Sequence, residues 1–309
     1  MICAYCGKEA KGTKEHIISS GILGLFPECF ATIDGERNVI HQGDPMVKDV
    51  CADCNNNRIS YIDSYAKAII EKYFMKKYKK DDVITFEYDL ALIQKMCLKY
   101  AFNDLRSRKK NTDFFDDDIK NYILSESQSM PLRNITILAG LAVNVSPMPD
   151  FTFGNMKLRW SDSPVFLSNS IVMNIDYDTG KIIMRDKMEQ ESFHKCALTY
   201  VFRFNSLQLL LLCWEKDISD ELLSQNEVVL SAQYPYQILK PTGLTNLTRC
   251  TSEATYHYEK LIDVTWGQGL MDEISEMRGT FSEQYQHYLA EVENKWQAEE
   301  KILADEHPR

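Results

Sequence analysis

The sequence predicts an α+β protein: a small metal-stapled N-terminal unit, then a larger mixed helix and strand domain, then a C-terminal helix. Three observations carry this. Two Cys-x-x-Cys pairs, Cys3/Cys6 and Cys51/Cys54, bracket a turn-rich opening. Apolar residues then recur at three- and four-residue steps, the period of an amphipathic helix. Beyond residue 130 that period gives way to short β-branched and aromatic runs broken by turn residues. The chain has 309 residues, 44% of them apolar and 26% charged, enough for more than one core. The expected boundaries are 1–80, 81–275 and 276–309.

Residues 1–56 carry Gly, Pro and Asn at short intervals, with brief strand-like runs such as "NVIH". From Arg58 the period changes. Ile59, Ile62, Ala66, Ile69, Ile70 and Tyr73 define a helix over 58–78, and "KKDD" follows as a boundary. "VITFEYD" reads as a strand. A second helix over 90–108 places Leu90, Ile93, Cys97, Tyr100, Ala101 and Leu105 on one face and ends in the basic "RSRKK". The acidic "DFFDDD" at 113–118 reads as the start of a helix through "IKNYILSE" rather than as a carboxylate metal site. "ITILAGLAVNV", "FTFGNMKLRW" and "YVFRFNSLQLLLLCW" read as strands, and "SIVMNIDYDTGKIIMRD" as a hairpin turning at Asp178-Thr179-Gly180. Near the end, Phe281, Tyr285, Leu289, Val292 and Trp296 form one stripe of a helix expected to dock on its own domain.

The chain opens directly into "MICAYC", and its longest apolar run, "LQLLLLCW", is far too short for a bilayer span. A cytoplasmic protein is expected. In that compartment, nine cysteines point to metal rather than disulfides. Cys29, Cys97, Cys196, Cys213 and Cys250 lie in apolar surroundings and read as inert core thiols; His194 beside Cys196 has no matching pair and reads the same way. The net charge of −10 excludes a protein that coats nucleic acid indiscriminately. Residues 1–80, however, hold 12 Lys/Arg against 10 Asp/Glu, so any DNA contact is expected there, aided by "KYFMKKYKK" at 72–80.

Cys3, Cys6, Cys51 and Cys54 offer four soft ligands in two tight knuckles, the closed shell of a structural Zn²⁺. The 44 residues between the pairs exceed a zinc-ribbon spacing. They contain Glu15-His16, and the second pair runs into Asn55-Asn56-Asn57-Arg58. In this order, "CAYC", "KEHII" and "CADCNNNRIS" resemble the zinc-stapled HNH, or ββα-metal, endonucleases over about residues 1–75.

The resemblance implies a role for each of these residues. Glu15 and Asn55 would hold one catalytic divalent cation, Mg²⁺ or Mn²⁺, through hard oxygen ligands. His16 would be the general base on a water in line with the scissile phosphate, since imidazole accepts protons near neutral pH. Arg58, three residues after Asn55, would hold a nonbridging phosphate oxygen. Asp is commoner than Glu at the position of Glu15. The pattern's middle Asn is missing from "GDPMVKD", where Asn38 or Asp44 could serve; Asn56 or Asn57 could replace Asn55 if the helix starts later. His41, alone in its loop, reads as neither ligand nor base. The implied function is a metal-dependent endonuclease hydrolysing DNA. Residues 81–309 would bind an activating partner or ligand, as in a regulated effector of bacterial phage defence. The alternatives are a zinc-bearing binding module without catalysis, a restriction or mobile-element nuclease, or an enzyme acting on RNA.

Overall fold

In the computed structural model, the described residues are 1–26, 32–34, 39–41, 43–76, 78, 82–127, 130–141, 158–163, 172–176, 181–185, 193–233 and 236–248. The architecture is α+β, as the sequence predicts. The C-terminal stripe from Phe281 to Trp296, the turn at 178–180, Asn38, Cys29 and Cys250 lie outside the described residues, as do the side chain of His41 and part of the 72–80 lysine run.

The chain opens with the first cysteine knuckle and strand β1 (Gly12–His16), followed by a single turn of helix α1 (Ser20–Leu23) and a short hairpin of β2 (Thr32–Asp34) and β3 (Val39–His41). Strand β4 (Met46–Cys51) returns antiparallel to β1, with Gly12 opposite Cys51 and His16 opposite Met46. The two strands approach closely at Gly12, where a β-carbon would lie 2.3 Å from the Lys48 carbonyl oxygen. Helix follows at once: a π-helical turn (Cys54–Arg58), α2 (Ser60–Ile69) and a second π-helical turn (Ile70–Phe74). The helical segment thus begins four residues earlier than the apolar period predicts. Cys54 must itself turn back toward the first knuckle, and polar Asn55 to Asn57 hide that turn from a hydrophobic count.

Strand β5 (Ile84–Glu87) leads into α3 (Leu90–Ser107), capped by the Asp89 carboxylate accepting from the Leu92 amide at 3.0 Å. The sequence predicts one apolar face here, yet nearly every residue from Leu90 to Leu105 is buried, including Gln94, Lys95, Lys99, Asn103 and Asp104. Such polar burial is tolerable only where each group finds a partner, and they do. Gln94 donates to the carbonyls of Leu132 and Ile135 and accepts from the Leu132 amide and the Tyr122 hydroxyl. Asp104 accepts from Tyr200, Trp160 and Arg108. Helix α4 (Asp117–Leu124) starts as the acidic run predicts, with the Asp116 carboxylate accepting from the amides of Asp118 and Ile119.

The main sheet is antiparallel in the order β12-β6-β11-β10-β7: Gln237–Ile238, Ile135–Leu141, Leu207–Trp214, Cys196–Phe204 and Leu158–Asp162. The central strand β11 is buried along its whole length. Its even-step residues Leu207, Leu209, Leu211 and Cys213 face the main core with Tyr100 of α3, while Leu210, Leu212 and Trp214 face a second cluster. Leu222, Leu223 and Leu230 of α5 (Asp220–Gln233) pack into that second cluster. Burial on both faces explains why "LQLLLLCW" does not alternate in polarity. Asn205 takes φ +51° in the two-residue turn joining β10 to β11. The predicted hairpin forms as β8 (Val172–Asp176) and β9 (Lys181–Arg185), and β13 (Leu244–Leu247) pairs back with β5.

The main core is continuous from Cys3 to Leu247. Tyr5 of the first knuckle meets Phe102 edge-on at 5.2 Å, and Phe102 stacks on Phe115 at 4.7 Å, so aromatic packing passes from the knuckle through α3 to the start of α4. Among the described residues, no helix is long and apolar enough to cross a membrane.

Gln94 ties α3 to α4 and β6. Replacing it by Leu strands the Leu132 amide and two carbonyls in the interior and is expected to cost at least about 2 kcal/mol, read as a lowered midpoint of denaturant unfolding.

Candidate metal centre and the polar seam beside it

The four sulfurs of Cys3, Cys6, Cys51 and Cys54 all lie within 4.8 Å of one another, and three of the four residues are buried. Cys6 Sγ and Cys51 Sγ are 3.8 Å apart. A tetrahedron with metal–sulfur bonds of about 2.3 Å has edges of about 3.8 Å, so the donor set fits a metal ion such as zinc. Local chain geometry prepares each knuckle. Gly7, at φ +68°, closes the first by donating its amide to the Cys3 carbonyl. The Cys51 amide donates to Cys3 Sγ at 3.4 Å and the Cys54 amide to Cys51 Sγ at 3.5 Å. Burial raises the Cys3 thiol, but backbone hydrogen bonds from Cys6, Cys51 and Tyr5 outweigh it and bring it down to about 6. Burial pushes Cys54 and Cys51 up, and neighbouring sulfurs add to the rise. Four sulfurs at this spacing repel one another once ionised, and a divalent cation relieves that repulsion. Cys97 and Cys213 are fully buried thiols pushed up by burial, in keeping with an inert role.

Pairing of β1 with β4 carries the knuckles' rigidity to the Glu15-His16 dipeptide. Consecutive strand residues point to opposite faces, and here they meet different surroundings. The His16 ring is partly exposed, with Nε2 3.3 Å from Asp44 Oδ2. Backbone geometry sets up this approach, because the Ile17 amide donates to the Pro45 carbonyl at 2.9 Å. Asp44 therefore stands beside the imidazole.

Glu15 turns inward and is only 4% exposed. Its Oε1 lies 2.8 Å from Lys99 Nζ and accepts from Asn103 Nδ2 at 3.4 Å. Lys99, fully buried, also reaches both carboxylate oxygens of Asp63 in α2 at 2.6 Å. Burial pushes the Glu15 carboxyl up, and the Lys99 ammonium pulls against that rise. The Asn55 amide donates to Thr13 Oγ1 at 3.0 Å and to the Lys14 carbonyl at 2.9 Å, lacing the start of the helix to β1. The expected Mg²⁺ or Mn²⁺ at Glu15 and Asn55 does not fit this arrangement. The Glu15 carboxylate is closed to solvent, and its ion pair with Lys99, which Lys99 shares with Asp63, would have to break before a hydrated ion could bind it. Asn57 donates to Asp53. Arg58 lines a shallow cleft with Cys3 to Lys8, Asp49, Asp117 and Lys120, and the walls of that cleft include none of Glu15, His16 and Asn55.

Lys99, Asn103 and Arg106 escape a motif reading because their signal is a polar stripe inside an apolar helix. Spaced four and three residues apart, they share one face of α3, and each holds a different part of the N-terminal unit. Lys99 holds β1 and α2. Asn103 holds β1 through the His16 carbonyl at 2.9 Å and the first knuckle through the Tyr5 hydroxyl at 2.8 Å. Arg106 pairs with Asp49 of β4 and lies over the Tyr5 ring at 5.2 Å.

No protein-family model, curated protein or solved structure matches the chain.

Two outcomes test this site. Purified chain should carry about one equivalent of zinc by X-ray fluorescence, and Cys54→Ser or a strong chelator should remove it and lower the melting temperature. Lys99→Met should destabilise by about 3–5 kcal/mol in denaturant titration, because it leaves Glu15 and Asp63 without their buried cation.

Proposed function

We propose that the N-terminal unit is a zinc-stapled nuclease module of the HNH type that hydrolyses phosphodiester bonds in DNA. In this reading the four cysteines hold a structural Zn²⁺, His16 is the general base and Asp44 orients it. The observation that carries the reading is the His16–Asp44 pair. An imidazole and a carboxylate 3.3 Å apart lie at the accessible end of a strand that the sulfur cluster braces through β4. With Nε2–H donating to Asp44, the lone pair lies on Nδ1, which accepts the proton of an attacking water. An Asp in this place supplies what the motif's missing Asn would otherwise provide.

The antiparallel pair β1–β4 running into a helix supports the same reading, because it is the strand–strand–helix order that the resemblance implies. Arg58, with Lys8 and Lys120 along the same cleft, is assigned to flanking backbone phosphates rather than to the scissile one. Zinc contributes folding free energy here and no catalytic step.

One observation favours a second reading, a zinc-bearing module that binds nucleic acid or protein without cutting it. Glu15, the acid the motif assigns to the catalytic cation, is engaged by Lys99. The two readings separate on plasmid DNA incubated with the full chain, with and without Mg²⁺ or Mn²⁺. The nuclease reading expects nicking, and a loss of at least about 100-fold in rate for His16→Ala at unchanged zinc content. Equal nicking by wild type and H16A would overturn it, and retardation of DNA without any nicking would overturn it in favour of the binder.

A further inference from the structure

Asn103 is fully buried, and all four of its polar contacts are with the N-terminal unit or the stripe that grips it. Nδ2 donates to the His16 carbonyl at 2.9 Å and to Glu15 Oε1 at 3.4 Å. Oδ1 accepts from the Tyr5 hydroxyl at 2.8 Å and from the Arg106 guanidinium. The chemistry of these partners removes any ambiguity in the amide's orientation. A guanidinium can only donate, so the atom facing it is the oxygen; a carbonyl can only accept, so the atom facing His16 is the nitrogen. One side chain thus spans the gap between the knuckle containing Cys3 and Cys6 and the backbone of the residue bearing the imidazole.

Strands β1 and β4 form a two-stranded sheet on their own. Such a pair is marginal without packing against another element. Here that element is α3, which also packs on the main sheet through Tyr100 against Phe202 and Phe204 and through Asp104 against Tyr200.

We propose that Asn103 is a positioning residue for His16, holding the end of β1 at the height where the imidazole meets Asp44, and that the site therefore works only while the N-terminal unit is docked on α3. The catalytic part of this inference rests on the nuclease reading; the positional part does not. Displacing a base by even about an ångström costs on the order of 100-fold in rate, and the His16 carbonyl is one bond removed from the α-carbon that carries the ring.

The experiment compares Asn103→Ala with Leu98→Ala in the full chain. Leu98 is a buried α3 residue that takes no part in the polar stripe, so L98A lowers the melting temperature without touching the seam. Steady-state cleavage of a duplex substrate is measured for each, together with the His16 ring proton–carbon resonance, assigned by its loss in H16A. N103A is expected to lower kcat by about 10- to 100-fold with KM within about twofold, and to move or broaden the His16 resonance at unchanged zinc content. L98A is expected to do neither. Should N103A fail to fold, Tyr5→Phe removes only the hydroxyl that fixes the amide oxygen and should shift both readouts in the same direction by a smaller amount.

The inference is overturned if N103A, or Y5F in its place, matches L98A in kcat and leaves the His16 resonance unmoved. A wild-type chain that does not cut DNA, with the resonance still displaced in N103A alone, would keep the positioning role and remove the nuclease reading.

Discussion

The ammonium of Lys99 has no access to water, and its carboxylate partners come from two elements of the N-terminal unit, Glu15 on β1 and Asp63 on α2. Much of the remaining architecture depends on this charge cluster. Removing Lys99 would leave two carboxylates without their shared cation, so β1, α2 and α3 are held to one mutual geometry. The same helix face continues through Asn103 to the first knuckle and through Arg106 to β4. The small unit whose four sulfurs could hold a metal ion is thereby given a floor of fixed polar contacts. Another side of α3 packs on the main sheet, so one helix joins the unit and the sheet within a single core.

This arrangement changes how the Glu-His dipeptide is understood. Alternation along a strand sends the two side chains to opposite faces, and the structure uses both. His16 stays at the accessible face with Asp44, whereas Glu15 becomes an anchor. A motif reading treats the pair as one chemical device; the packing treats it as a hinge between an exposed group and a buried one. Four sulfurs and Asn55, which laces the helix start to β1, keep that hinge from moving relative to the second knuckle.

Features that depend on neighbours in sequence are legible in the sequence itself. The knuckles follow from spacing, α2 and α3 from period, the α4 start from an acidic cap, and β8–β9 from a turn signal. Contacts made across long separations are not. Nothing local to Glu15 announces Lys99, 84 residues on, and Lys99 itself reads as one polar residue in an apolar helix. Helix α5 is too weakly amphipathic to be read from the sequence, and the pairing of β5 with β13 joins segments about 160 residues apart. Asp44 was visible only as one of two candidates, because a bent loop rather than a period brings it to His16.

That β5–β13 pairing bears on how the molecule comes into being on the ribosome. Phe86 of β5 packs against Tyr73 and Phe74 at the end of the N-terminal unit's helix, yet its strand partner emerges only when residues 244–247 have been made. Loop closure over such a separation is slow compared with local helix formation. The sulfur cluster can therefore assemble early in synthesis, while the aromatic seal beneath the helix's far end waits for nearly 250 residues of chain. Until then the four-cysteine head rests on an unfinished base.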